Sequence, residues 1–252
     1  MKPTKNLTLV SLLALTLFNG PALAGEVSIA VAANFTGATL QIVPLFEKST
    51  GHRVKTSFGS TGKLYSQIEN GAPFELFLAA DSKRPAKAEA AGLAVAGSSF
   101  IYAKGKLVLW SAKPGLLEEA ESYLKSGAFA HLALANPKTA PYGLAAQQVM
   151  QHLGVWSALQ SKLVQGDSIA QTFQFAATSN AEAGFVAYAQ IKAWQGDAGS
   201  TWEIPTDYYA PIDQVAVLLK KGASNEAALA FLDFLKGDAA HKVIEKFGYG
   251  VD

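Results

Sequence analysis

The residues best suited to chemistry in this chain are neutral, and they sit in short polar turns that follow apolar runs. Ala33, Asn34 and Thr36 come after Val27-Ser28-Ile29-Ala30-Val31, and Gly59-Ser60-Thr61-Gly62 comes after Arg53-Val54-Lys55-Thr56-Ser57-Phe58. Each turn stands where a strand ends and a helix begins. A helix N-terminus carries backbone N–H groups without internal partners and a partial positive charge. Two such ends aimed at one point hold a small anion without any Lys or Arg. Asn34 is a good helix cap by type. Its amide is also able to donate to a bound oxygen, where a carboxylate would repel an anion. Ser60 and Thr61 add hydroxyl donors, and the flanking glycines free the backbone N–H groups. Tyr142 follows Pro141 at the start of a further helix, where proline's missing N–H costs nothing. Gly166-Asp167-Ser168-Ile169 opens another, with Asp167 or Ser168 as its cap. The apolar Ile169 has only its backbone N–H to offer an anion.

One pattern invites an enzymatic reading. Ser60 and Lys63 stand in Ser-x-x-Lys, the spacing of an acyl-enzyme nucleophile and its base. The companion Ser-Asp-Asn and Lys-Thr-Gly elements are absent; the nearest are Lys138-Thr139-Ala140 and Lys55-Thr56-Ser57. Ser122-Tyr123-Leu124-Lys125 matches the same loose spacing, which shows how readily it arises by chance. A phosphate-binding P-loop fails because Ser57 stands where glycine is required and Leu64 where Ser or Thr is required. His52, His131, His152 and His241 form no metal-ligand spacing. Asp81, closing Ala79-Ala80-Asp81, reads as a residue that fixes the next turn. No carboxylate pair or triad emerges. The expectation is therefore no catalytic residue, no cofactor and no site for a free metal cation.

The elements that must position these turns alternate between strand and helix. Strand signals fall at 27–31, 53–58, 75–80, 100–103, 107–111, 131–135, 163–165, 184–187 and 215–219. Leu40, Val43 and Phe46 recur at helical spacing before a stop at Gly51, and helical spacing or composition falls at 64–71, 82–91, 116–126, 141–153, 225–236 and 239–247, with one more from 168. Such alternation implies α/β architecture with parallel sheets covered on both faces. Ligands of such sheets bind beyond the carboxyl ends of the strands, where all four polar turns lie. Two α/β lobes with a cleft between them are expected.

Composition agrees with a globular protein: 50% of the 252 residues are hydrophobic and 16% charged. Lys2 and Lys5, the apolar stretch 7–18 and Ala22-Leu23-Ala24 read as a cleavable export signal over 1–24. Removing Lys2 and Lys5 leaves 19 of the 21 basic residues against 20 acidic ones, which gives no nucleic-acid-binding surface. The absence of cysteine excludes disulfides, a thiol nucleophile and lipid attachment at a cysteine.

The mature chain resembles the periplasmic molybdate-binding proteins that feed ATP-binding-cassette transporters. The resemblance is carried by Ala32-Ala33-Asn34-Phe35, Phe58-Gly59-Ser60-Thr61-Gly62, Asn70-Gly71-Ala72-Pro73-Phe74-Glu75-Leu76-Phe77, Gly105-Lys106-Leu107-Val108-Leu109-Trp110, Ala140-Pro141-Tyr142-Gly143-Leu144-Ala145 and Gly184-Phe185-Val186, with Ala79-Ala80-Asp81 and Asn136-Pro137. It implies a type II periplasmic binding fold, with lobe one at 25–103 plus 213–252, lobe two at 104–212, and a hinge where the chain crosses twice. It implies binding of molybdate or tungstate as the bare tetrahedral oxyanion, by Asn34, Thr61, Tyr142 and Ile169, with Ala33 and Ser60 beside them. Some members place a Tyr hydroxyl on the anion after the Gly-Phe-Val strand; here that position falls on Ala187, with Tyr188 next. The implied protein is a periplasmic monomer, not an enzyme, that is not inserted in the membrane and docks on an inner-membrane permease. Another oxyanion such as sulfate, chromate or phosphate is the closest alternative ligand; the serine acyl-enzyme at Ser60 and Lys63 is the remote one.

Overall fold

The computed structural model describes residues 24–251; the leader expected over 1–24 lies, Ala24 excepted, outside them. In chain order the elements are β1 (Glu26–Ala32), α1 (Thr36–Thr50), β2 (Arg53–Gly59), α2 (Thr61–Glu69), β3 (Leu76–Ala79), α3 (Lys83–Ala90), β4 (Phe100–Gly105) and β5 (Leu107–Ser111). There follow α4 (Ala120–Ser126), β6 (Leu132–Ala135), α5 (Pro141–His152), α6 (Trp156–Leu159), β7 (Leu163–Gly166), α7 (Ile169–Ala177), β8 (Ala183–Ala187) and α8 (Tyr188–Ala193). The chain ends with β9 (Ser200–Glu203), β10 (Ile212–Leu218), α9 (Glu226–Leu235) and α10 (Asp238–Lys246).

Two five-stranded sheets result, in the orders β2-β1-β3-β10-β4 and β7-β6-β8-β5-β9. They repeat one plan. In the first, β1 is parallel to β2 and β3, while β10 is antiparallel to β3 and β4. In the second, β6 is parallel to β7 and β8, while β5 is antiparallel to β8 and β9. The parallel trios are the ones built by strand–helix–strand alternation. The antiparallel members carry the chain between sheets: β4 of the first ends at Gly105 and β5 of the second begins at Leu107. The return lies between Glu203, the end of β9, and Ile212, the start of β10.

Central strands are apolar and buried on both faces, as a sheet flanked by helices requires. Every residue of β3, β5, β6 and β8 is buried. Ile29, Phe46, Leu78 and Phe231 center the core of the first sheet, and Leu109, Leu134, Met150 and Phe185 that of the second. Each such side chain contributes about 1.5–3 kcal/mol by leaving water. The helix expected over 116–126 begins only at Ala120, because Glu119, at φ −115° and ψ 60°, is outside the helical region. Three short elements, α6, α8 and β9, carry no period long enough to be legible in the sequence.

Glycine admits one close approach that matters downstream. A Cβ at Gly143, in the first turn of α5, would lie 2.1 Å from the Ala135 carbonyl oxygen at the end of β6. This lets the start of α5 press against the strand end. Gly143→Ala is expected to lower the ligand-free melting temperature by about 3–10 °C, the effect of about 1–3 kcal/mol of overpacking in a domain of this size. Differential scanning calorimetry checks this, and an unchanged midpoint would contradict the close approach.

Candidate functional site

Four helix N-termini close on one small cavity with about 190 Å³ of empty space. After β1, Ala33 and Asn34 begin a 3-10 turn that leads into α1. After β2, Ser60 occupies the cap position of α2 and Thr61 its first turn. Pro141 and Tyr142 open α5, and Ile169 opens α7. All six residues singled out in the sequence, Ala33, Asn34, Ser60, Thr61, Tyr142 and Ile169, line this one cavity. No charged side chain lines it. Each helix N-terminus is equivalent to roughly half a positive charge, so four together offer roughly two, the magnitude of a divalent anion. Two larger open grooves, of about 860 and 880 Å³, are lined by charged side chains of both signs; the second adjoins the cavity at Ala80 and Pro141.

The two hydroxyls differ. Thr61 Oγ1 accepts a hydrogen bond from the Ala80 N–H at 3.0 Å and keeps its own proton to donate. Ser60 Oγ is buried, has no protein partner and does not cap its helix. An unpaired buried hydroxyl is costly unless something else occupies the space it faces.

Asn34 is not a helix cap. Its amide nitrogen donates to Gln214 Oε1 at 2.7 Å and to the Tyr249 hydroxyl at 3.1 Å, so both of its N–H bonds are engaged inside the protein. Asn34 therefore faces the cavity with its backbone and is anchored by its side chain. Its partners escaped sequence reasoning. The one available signal was Gln214, an amide directly before the apolar run 215–219 that forms most of β10. Tyr102 donates to the same Gln214 Oε1 at 3.1 Å, and Tyr249 donates to the Asn34 carbonyl at 2.7 Å. Burial pushes the hydroxyls of Tyr102, Tyr142 and Tyr249 well above the ordinary tyrosine range, so they stay protonated.

At the rim, Gly62 N–H donates across to the Thr139 carbonyl at 2.8 Å, and the Arg84 guanidinium donates to the Lys138 carbonyl at 2.9 Å. Arg84 is also paired with Asp81, which gives Asp81 its turn-fixing role. Lys63 is paired with Asp167 at 2.8 Å, so its ammonium is not a base for Ser60. The cap of α7 is Ser168, accepting from the Gln171 N–H at 3.3 Å. Tyr188 lies outside the cavity, in the groove beside Lys192 and Trp194.

Two like sheets enclosing a charge-free, donor-rich cavity define a two-lobed solute-binding protein. Residues 27–250 match the profile of bacterial extracellular solute-binding proteins, and the chain belongs to that family. It is 58% identical over 229 residues to the molybdate-binding protein ModA of Azotobacter vinelandii, covering 90% of this chain and 91% of the relative. It is 55% identical to the ModA of Rhodobacter capsulatus, covering 91% and 90%. Among solved structures, the periplasmic molybdate-binding protein of Azotobacter vinelandii superposes with a TM-score of 0.86 at 43% identity, covering 90% of this chain and all of that one. The sulfate-binding protein SubI of Mycobacterium tuberculosis, at 13% identity and a TM-score of 0.74, shares the fold. The family consists of solute carriers, and the acyl-enzyme alternative is not favored.

The two hydroxyls separate in the ligand-free protein. Thr61→Val strands the buried Ala80 N–H and is expected to cost about 1–3 kcal/mol. Ser60→Ala removes a hydroxyl with no partner and is expected to leave stability unchanged or raise it. Urea unfolding of both variants without ligand checks this; equal losses would contradict the assigned bonding.

Proposed function

We propose that this chain is a periplasmic binding protein that captures molybdate, and tungstate alike, and delivers it to an ATP-binding-cassette permease. The observation that carries the reading is the cavity itself, where four helix N-termini meet with no carboxylate and no cation. The relatives' names support the ligand, and 43% identity to a solved molybdate-binding protein supports the fold and setting. Among the described residues no helix is long and apolar enough to cross a membrane.

The residue roles we assign follow from the geometry. Ser60 and Thr61 donate hydroxyl protons to the anion. Ala33, Asn34, Tyr142 and Ile169 donate backbone N–H groups, with the Asn34 amide holding its turn in place. Lobe one comprises 25–103 plus 213–252, lobe two 104–212, and the two crossings serve as the hinge. The leader is removed after Ala24, and the mature protein acts as a monomer.

Neutral donors suit this task. Each hydrogen bond to an ionized oxygen contributes about 1.5–3 kcal/mol net. The charge is met without burying an unpaired Lys or Arg before the ligand arrives. Sulfate carries the same charge and the same four oxygens, so discrimination rests on size: shorter sulfur–oxygen bonds leave sulfate loosely held in a cavity shaped for molybdate.

The test is a thermal shift of the mature protein after unfolding, ligand removal and refolding. Ligand at 100 times its dissociation constant adds about 2.7 kcal/mol, a rise of about 5–10 °C. The rise is expected with molybdate and tungstate and absent with sulfate and phosphate. A rise with sulfate or phosphate instead would overturn the ligand while keeping the site. Ser60→Ala is expected to weaken molybdate binding about 10- to 100-fold in calorimetry; unchanged affinity would remove Ser60 from the site.

A further inference from the structure

Tyr142 has two ends with different surroundings. Its backbone opens α5 at the cavity. Its side chain, 2% exposed, reaches away from the second sheet into a buried polar cluster made by the first. There its hydroxyl accepts from Gln214 Nε2 at 3.4 Å. The other members, Asn34, Tyr102, Gln214 and Tyr249, all belong to the first sheet or its flanking segments.

The cluster lies against the crossing between sheets. A Cβ at Gly105, the last residue of β4, would sit 2.2 Å from the Tyr142 hydroxyl and 3.0 Å from Gln214 Nε2. Glycine there leaves the hydroxyl its berth. Gln214 sits at a register shift in the β10–β4 pairing, between Gln214 and Val215. Such a bulge re-aims a side chain, here a fully buried amide. Tyr249 is held by a two-way backbone bridge between Gly250 and Lys104, on the same strand as Gly105.

We propose that the Tyr142 hydroxyl, docked on Gln214 beside Gly105, is a latch that holds the second lobe closed on the first while the Tyr142 backbone N–H faces the ligand. The part played by the ligand rests on the proposed function; the latch itself is a contact between lobes. Gln214 is the positioning residue of the device: one amide fixes Asn34 on the cavity wall with its oxygen and receives Tyr142 with its nitrogen. Opening withdraws Tyr142 with α5 and strips Gln214 Nε2 of its partner. Closure and assembly of the anion site are thereby one event.

Tyr142→Phe keeps the backbone donor and the ring and deletes only the latch. With radiolabeled molybdate chased by unlabeled molybdate, dissociation is expected to quicken about three- to tenfold, the value of one neutral hydrogen bond, with the association rate within about twofold. Gly105→Ala is expected to quicken dissociation in the wild-type background and to add little in the Tyr142→Phe background, because the hydroxyl it displaces is gone. Small-angle scattering gives a readout independent of the ligand: both variants are expected to enlarge the mean radius of gyration. Equal dissociation rates, or an equal Gly105→Ala effect in both backgrounds, overturn the latch. If the wild type binds no molybdate, the ligand reading falls alone, and equal radii for the three proteins then overturn the latch.

Discussion

Four helix N-termini pointed into one small space repel one another through their like partial charges and leave backbone donors without acceptors. The arrangement is unfavorable until an anion fills it or water enters. This constraint organizes the rest of the molecule. Each sheet contributes two of the four ends, one after its central parallel strand and one after the neighboring edge strand. The duplicated plan of β2-β1-β3 and β7-β6-β8 sets the two pairs face to face. A single lobe offers half a site. The complete one exists only when the lobes meet, so ligand binding and closure are coupled without any further device being required.

The polar contacts that join the two lobes at the rim are accordingly modest. Gly62 brings α2 close to the 137–139 loop, since a Cβ there would lie 2.9 Å from Thr139. The contact yields one backbone hydrogen bond, with a second from Arg84 to Lys138. The Lys63–Asp167 pair is half-exposed or more on both sides, where an ion pair contributes little. A carrier that must release its cargo to a transporter is served by a closed form whose stability comes mainly from the cargo. Strong rim contacts would close the cleft on nothing.

The four turns were legible because their signals are local. Gly59-Ser60-Thr61-Gly62, the Pro141 start and the Ser168 cap each follow a run that reads as a strand, and strand–helix alternation places such turns on one edge. The side-chain bonding was not legible, because it is not local. Asn34 reads as a cap from its neighbors, yet its amide is claimed by Gln214 and Tyr249, 180 and 215 residues further along the chain. The sequence ranked Thr61 ahead of Ser60, but only tertiary structure reveals that Ala80 already uses the Thr61 oxygen while Ser60 has no partner. Short elements such as α8 and β9 were missed for a different reason. Six and four residues hold too few positions for either period to show.

The anchoring of Asn34 changes what selectivity requires. An amide side chain aimed at the ligand could swing to follow a smaller anion. A turn pinned by Gln214 and Tyr249, with its amide already engaged, cannot. Backbone donors move only with their helices, and Ala33, Tyr142 and Ile169 open helices packed on buried strands. The cavity therefore holds its size under the attraction of whatever anion enters it. An ion too small reaches some of the donors and leaves the others unpaired in a dry space, which costs more than the missing contacts alone. Rigidity imposed by a polar cluster outside the cavity is thus the physical basis on which size can discriminate between anions of equal charge.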